Sequence, residues 1–152
     1  MSDQLSFPCQ TGNAVLDILL TNKLWLAHQK GINVDCTVKI PANCLINDMD
    51  LCIVFSNAVN NAVKACSSKS KTRPYLTLKT IRKGNFFLIE IENSRSDDNA
   101  VIKGSGIGLD SIKAVAEKYN GTIRIEKDTK MFRLNVLFII PLQSNSISLQ
   151  SS

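Results

Sequence analysis

The 152-residue sequence predicts a two-layer α/β sandwich, with a mixed, largely antiparallel sheet on one side and helices on the other. Helical and strand periodicities follow one another along the chain in the order α-β-α-β-β-loop-α-β-β. Two pairs of neighbouring strands are joined by very short connections, which indicates antiparallel hairpins. A hydrophobic content of 44% and a charged content of 20% are ordinary for a globular chain that is long enough to bury one core.

The first half of the chain predicts two helices separated by one strand. Residues 13–30 carry apolar side chains at helical spacing, and this segment stops at Gly31. Residues 32–40 then alternate apolar and polar side chains, as expected of a half-buried strand. The second helix is predicted over residues 48–66, with Asn47 as its N-cap.

A hairpin and a long loop follow the second helix. The alternating segments 75–82 and 85–93 flank a turn at Lys83 and Gly84, and they predict two antiparallel strands. Residues 94–106 have no periodicity and are rich in small and polar side chains, which indicates a mobile loop.

The last part of the domain predicts a third helix and a second hairpin. Residues 107–119 have helical periodicity and end at Asn120 and Gly121, a common helix stop. Residues 122–127 and 131–140 predict two further strands joined by a tight turn.

Charge and cysteine content narrow the classes of function. The formal net charge of +5 is moderate, and Lys and Arg are not clustered as densely as in most nucleic-acid-binding proteins, so no nucleic-acid partner is expected. The 5 cysteines form no C-x-x-C pair, and with 1 histidine they cannot assemble a common zinc site. We expect them to be reduced, mostly buried thiols of a cytosolic chain without a signal peptide or a spanning helix.

The second helix carries an unusual polar stripe. At about 100° per residue, Asn57, Asn61 and Lys64 fall within one narrow sector. Asp50 lies in the same sector, and Asn60 lies on its shoulder. A solvated face is the plain interpretation, although Asn is a poor helix former and open water would favour Glu and Lys. Because amide carbonyls can bind Mg²⁺ and a lysine can meet phosphate, the alternative is a face toward a metal-bound polyphosphate.

A glycine-rich segment, residues 103–109 (KGSGIGL), leads from the loop into the third helix. Gly104, Gly106 and Gly108 let the backbone approach a ligand closely, and a helix N-terminus favours an anion. The G-x-G-x-G pattern alone is a weak signal that is also typical of a flexible loop end. The segment is neither a Walker loop nor a Rossmann fingerprint.

Jointly, NAVNNAVKA and GSGIGL resemble the N box and the G2 box of the GHKL superfamily, which includes gyrase, heat-shock chaperone ATPases, histidine kinases and MutL-type repair proteins. TGNAVLDILLTNK, DLCIVFSNAVNNAVKAC, IEIENS and GIGLDSIKAVAEKYNGTI are more closely similar to sensor histidine kinases of the peptide-quorum-sensing class. The similarity spans residues 11–141. It implies the Bergerat (GHKL ATPase) fold and binding of ATP with Mg²⁺.

The resemblance also implies individual roles. Asn61 is implied as the Mg²⁺ ligand, with Asn57 near the phosphates and Lys64 in contact with them. The glycines are implied to shape the ATP lid, and Leu109 to start the helix behind it. Asn93 stands where the superfamily has an adenine-binding Asp, and its carbonyl can accept the same hydrogen bond. The implied nucleotide-binding residues are Asn57, Asn61, Lys64, Asn93, Lys103, Gly104, Ser105, Gly106, Gly108 and Leu109.

The residue at position 57 favours phosphoryl transfer over hydrolysis. Hydrolysing members of the superfamily have a water-activating glutamate there, whereas the amide of Asn57 cannot take a proton at neutral pH. No protein general base is therefore expected, and the γ-phosphoryl group is expected to pass to a histidine on a separate dimerisation domain. His28 is interpreted as a surface or packing residue, so we do not expect this chain to phosphorylate itself.

By resemblance, residues 1–30 are an N-terminal extension with the end of a dimerisation helix, residues 31–142 are the ATP-binding catalytic domain, and residues 143–152 are a disordered tail. The expected partners are the dimerisation and phosphoacceptor helix domain of the same kinase and, indirectly, a response regulator. The expected location is the cytoplasmic part of a membrane-anchored kinase, without direct membrane contact. Two alternatives stay open: an anti-sigma-factor-type serine kinase, and a non-catalytic interaction module with a degenerate nucleotide site.

Overall fold

A computed structural model of the protein describes residues 9–42, 44–66, 73–95 and 105–140. Within these residues the chain forms three helices and five strands. In chain order they are α1 (Ala14–Gln29), β1 (Asn33–Thr37), α2 (Asp48–Cys66), β2 (Tyr75–Lys83), β3 (Phe86–Ser94), α3 (Ser105–Lys118), β4 (Thr122–Lys127) and β5 (Met131–Ile139). None of the helices in the described part is long and apolar enough to cross a membrane.

The strands form a single sheet in the order β1-β2-β3-β5-β4. β1 pairs with β2 in parallel, and every other neighbouring pair is antiparallel. The predicted mixed, largely antiparallel sheet is therefore confirmed. The register places Ile91 of β3 between Leu78 of β2 and Leu134 of β5, so the three side chains lie on one face.

The helices cover this face of the sheet and bury it as the core. Phe55 of α2 is fully buried together with Phe87 of β3 and Phe138 of β5, and the rings of the two strand residues stack with centroids 6.3 Å apart. Each such side chain contributes roughly 1.5–3 kcal/mol through its burial. The two-layer α/β architecture predicted from the sequence is confirmed.

α1 belongs to the same core as the residues that follow it. Its buried side chains are Leu16, Leu20, Leu24 and Ala27. The helix begins where the Asn13 side chain accepts a hydrogen bond from the backbone N–H of Leu16 at 2.9 Å, as an N-cap does. That residues 1–30 are an N-terminal extension with the end of a dimerisation helix, and that the catalytic domain begins at residue 31, stays a prediction.

Several element ends follow their predicted signals, with two shifts. β1 is shorter than residues 32–40 because its pairing with β2 ends at Thr37, and Ile40 then donates its N–H to the carbonyl of Thr11 at 2.7 Å. The first hairpin turns one residue later than predicted because Gly84 supplies the positive φ of 59°. The predicted stops at Gly31 (φ 87°) and Asn120 (φ 62°) are confirmed. The predicted tail, 143–152, lies outside the described residues.

Candidate functional site

A cavity lies between α2, the start of α3 and the helix-facing side of the sheet. It is partly open to solvent. Asn61 of α2, Asn93 of β3 and Leu109 of α3 line it, so three of the predicted site residues meet at one place. The remaining lining residues are Ala58, Ala65, Ile91, Arg95, Phe132 and Leu134.

Asn93 is the buried polar group of this cavity. Only 2% of its surface is exposed, and its side-chain Nδ2 donates a hydrogen bond to the carbonyl of Ser94 at 2.8 Å. Among the described residues, none donates a hydrogen bond to Asn93 Oδ1. The Asn93 Oδ1 atom is not fully enclosed by the protein, so a ligand in the cavity can reach it. The position therefore suits a ligand that carries an N–H group.

Asn57 and Asn61 lie against α3 and are partly buried. The side-chain Nδ2 of Asn57 donates a hydrogen bond to the carbonyl of Ile53 at 2.8 Å, one turn earlier. Gly108 faces both asparagines: a Cβ added there would lie 3.3 Å from Asn61 Nδ2 and 3.4 Å from Asn57 Oδ1. Because α3 approaches the two asparagines closely at a residue without a side chain, this part of the polar stripe is a helix contact, and the solvated-face interpretation is wrong here.

The C-terminal end of the polar stripe on α2 lies away from the cavity. Lys64 is exposed and does not line the cavity; with Asn60 it lines a separate depression between α1 and α2. Asn60 accepts a hydrogen bond from Lys23 Nζ at 3.1 Å across that depression. The structure therefore does not bring Lys64 together with Asn93, and its predicted contact with phosphate stays a prediction.

Asp50 shares the helical sector of Asn57 but not its surroundings. It is 6% exposed, and its carboxylate accepts hydrogen bonds from the Tyr119 hydroxyl and from Lys118 Nζ, the latter at 2.9 Å. The Tyr119 hydroxyl in turn accepts a hydrogen bond from the backbone N–H of Asn47 at 3.1 Å. The bonds from Tyr119 and then Lys118 hold the pKa of Asp50 below its usual value. Asp50 thus joins the start of α2 to the end of α3 and is not part of an exposed stripe.

The glycine box is partly helical. α3 begins at Ser105, two residues before the predicted start, so Gly106 and Gly108 belong to its first turns. The low helix propensity of glycine, the reason for expecting a loop, is outweighed by the packing of α3 on α2. The backbone of Ser105 and Gly106 is helical, while Lys103 and Gly104 lie outside the described residues together with most of the predicted loop.

Sequence reasoning missed most of the apolar wall of the cavity. Phe132 lies directly opposite Asn93 in the β3–β5 register, and Ala58 and Ala65 lie one turn before and after Asn61. Helical spacing around Asn61 could have identified the two alanines. Phe132 required knowledge of which strand pairs with β3.

The lining of the cavity determines its chemistry. The apolar side chains suit a flat ring system, and the side-chain carbonyl of Asn93 offers one acceptor at its edge. Asn61 presents an amide that makes no hydrogen bond to any described residue, so its oxygen can bind a hard cation. None of the described residues that line the cavity is an Asp, Glu or His. This arrangement fits ATP and Mg²⁺.

Solved structures share the fold. The Acinetobacter baumannii histidine kinase AdeS superposes with a TM-score of 0.61 at 16% identity, covering 84% of this chain and 64% of that chain. The catalytic domain of the histidine kinase ThkA, in a nucleotide-free form, gives a TM-score of 0.65 at 12% identity over 87% of this chain and 94% of its own. The mycobacterial sensor histidine kinase MprB gives 0.59 at 15% identity over 84% and 97%.

The sequence also matches a family model. No curated protein matches the chain. Residues 46–139, which contain α2, α3 and the asparagine and glycine positions of the site, match the model described as GHKL domain. Because the matched residues make up more than half of the chain, the protein belongs to the GHKL domain family.

Proposed function

We propose that this protein is the ATP-binding catalytic domain of a two-component sensor histidine kinase. It binds ATP with Mg²⁺ and passes the γ-phosphoryl group to a histidine on a separate dimerisation domain. The observation that carries the proposal is the cavity in which the amides of Asn93, which is buried, and of Asn61 both meet an apolar wall. The resemblance to kinases of the peptide-quorum-sensing class suggests the subclass.

Asn93 would select the base. Its Oδ1 accepts a hydrogen bond from the exocyclic amino group of adenine, while its Nδ2 is held by the Ser94 carbonyl, which fixes the orientation of the amide. Ile91 and Phe132 line the cavity beside Asn93 and would contact the ring. Guanine carries a carbonyl oxygen at the corresponding edge, so it would place an acceptor against an acceptor.

Asn61 and Asn57 would form the phosphate edge. Bound Mg²⁺ would neutralise phosphate charge as the phosphoryl group is transferred. The Asn61 oxygen would bind the ion, and Asn57, tethered to Ile53, would stay near the phosphates without removing a proton from water. Catalysis by this chain would then consist of positioning and charge neutralisation, which leaves the phosphoryl group for an imidazole acceptor.

The acceptor and the other partners would be supplied from outside the described domain. We place the phosphoacceptor histidine on the dimerisation helices of the same kinase and a response regulator downstream of it. The domain would work in the cytoplasm as part of a membrane-anchored kinase.

Nucleotide titration tests the site. A fluorescent ATP analogue should bind, and Mg²⁺ should strengthen its binding to the wild type but not to Asn61→Ala. Asn60→Ala is the matched control, because its side chain is on the same helix but contacts Lys23 outside the cavity. Asn93→Leu should abolish the preference for adenine over guanine nucleotides. Absence of binding at millimolar nucleotide would instead support a degenerate site in an interaction module.

Phosphoryl transfer is tested separately. Labelled ATP and a separate dimerisation domain carrying the acceptor histidine should give an acid-labile, base-stable label on that domain and none on this chain. Label on serine would support the anti-sigma-factor-type alternative, and hydrolysis without any protein label would contradict the kinase assignment.

A further inference from the structure

Two cysteines from distant parts of the sequence lie in contact beside β1. The Sγ atoms of Cys9 and Cys36 are 3.8 Å apart, although the residues are separated by 27 positions. Cys9 precedes α1, and Cys36 lies in β1, an edge strand of the sheet. All five cysteines are described, and no other pair among them has its sulfurs in contact.

The backbone already holds the two thiols side by side. The N–H of Cys9 donates to Thr21 Oγ1 of α1 at 3.0 Å. Two residues later, the backbone carbonyl of Thr11 accepts a hydrogen bond from the N–H of Ile40 at 2.7 Å. Residues 9–11 therefore run beside the end of β1. A disulfide needs the sulfurs to approach to roughly 2.05 Å. Residues 9–13 are not part of a helix or strand, and they can supply this movement without disturbing the sheet.

We propose that Cys9 and Cys36 form a dithiol site that peroxide or a disulfide oxidant converts into an intramolecular disulfide. With hydrogen peroxide, one thiolate attacks an oxygen, the O–O bond breaks, and a sulfenic acid and water form. The second thiol then attacks that sulfur, the S–O bond breaks, and a second water leaves. Two sulfurs are oxidised by one electron each, and the peroxide is reduced by two electrons.

Cys9 differs from the other four cysteines, since its contact with Cys36 and burial raise the pKa of Cys36 and keep that partner a thiol. The hydrogen bond from Cys36 lowers the pKa of Cys9, with a further contribution from Thr21, and favours its thiolate. Burial raises the pKa of Cys44, Cys52 and Cys66 and disfavours their thiolates. Cys36 is partly exposed, so small oxidants can reach the pair from the edge of the sheet. The remaining cysteines therefore serve as internal controls.

The disulfide would fasten the segment before α1 to the edge of the sheet. It would close a loop that contains the whole of α1, and it would remove chain entropy from the unfolded state. We expect the melting temperature of the oxidised protein to rise by roughly 5–15 °C and to return after reduction by dithiothreitol. The site depends on the contact of the sulfurs and not on the proposed kinase activity.

The test is a redox titration of the whole chain with hydrogen peroxide and, separately, with glutathione buffers, followed by alkylation and non-reducing peptide mapping. The wild type should lose two of its free thiols together and give one cross-linked peptide joining Cys9 to Cys36. Cys44→Ser should behave identically, whereas Cys36→Ser should give no intramolecular disulfide.

Several outcomes would overturn the proposal. These are uniform oxidation of all thiols, a cross-link between other cysteines, and an unchanged melting temperature in fully oxidised wild type. Because the wild-type arm compares one protein before and after dithiothreitol, it decides the question even if Cys36→Ser folds poorly.

Discussion

Gly108→Ala should separate the stability of the fold from the function of the site. The added Cβ would meet the Asn61 amide nitrogen at 3.3 Å and the Asn57 amide oxygen at 3.4 Å. Both contacts are to side chains, so they can be relieved by moving an amide by a few tenths of an ångström. The amide that moves is the one proposed to bind Mg²⁺.

Two opposing contributions set the effect on folding. Alanine is favoured over glycine inside a helix by up to about 1 kcal/mol, and less in a first turn. The tight contacts with Asn57 and Asn61 remove a similar amount, so we expect the free energy of unfolding to change by less than about 1 kcal/mol. Displacing the metal-binding oxygen should weaken Mg-ATP binding about tenfold, which corresponds to about 1.4 kcal/mol.

The assay pairs urea unfolding with titration of a fluorescent ATP analogue in the presence and absence of Mg²⁺. Gly31→Ala is the matched control: its Cβ meets nothing within 4 Å, but its φ of 87° strains an alanine. It should lose about 1–2 kcal/mol of stability and keep wild-type affinity. If Gly108→Ala bound Mg-ATP like the wild type while Asn61→Ala did not, the contact of α3 with Asn61 would not control the site, and the reasoning would be refuted.

Two further predictions concern the C-terminal end of α3. Gly121→Ala would place a Cβ 1.9 Å from the Leu137 carbonyl oxygen, a backbone atom that cannot give way. The substitution should therefore destabilise the fold by more than about 3 kcal/mol in urea unfolding. A loss below about 1 kcal/mol would contradict this. Asp50→Asn should reduce stability at neutral pH by about 1.5–3 kcal/mol, since the bond from Tyr119 to a charged acceptor is replaced by a neutral one. Because the folded-state pKa of Asp50 is lowered, its contribution is complete above the unfolded pKa of about 3.9 and is lost as the pH falls through the folded value. The stability difference between the two proteins should therefore shrink below about pH 4, and a difference that is constant from pH 7 to pH 3 would exclude this linkage.

The helices and hairpins could be predicted because their signals are local. α2 begins and ends where its cap and periodicity indicate, and Asn120 and Gly121 end α3 as expected. β1 was predicted too long, since alternation says which residues could face a core but not where the neighbouring strand stops pairing. A helix or strand could be predicted wherever its ends do not depend on pairing with a strand that is distant in the sequence.

The residues of the candidate site were likewise predictable only where the sequence signal is local. Asn61 and Asn93 were identified from motif positions, and the structure places both in one cavity. The helical wheel gave the direction of Asp50 correctly but could not show that Tyr119, the residue after α3, covers it. Phe132 could not be assigned to the site before the β3–β5 register was known.

The two ends of the α2–α3 contact are held by different chemistry. At the end of this contact that lies away from the cavity, Asp50 accepts charge-assisted hydrogen bonds from Tyr119 and Lys118. These bonds require a strict geometry, so they fix the end of α3 on the start of α2. At the site, Gly108 approaches the asparagines without a side chain of its own, and this contact is van der Waals in nature. A small shift at the site therefore breaks no hydrogen bond, whereas a shift at the far end breaks two. If α3 adjusts when nucleotide binds, it should do so by pivoting about the Asp50 end, and Asn61 is the side chain that this motion would reach first.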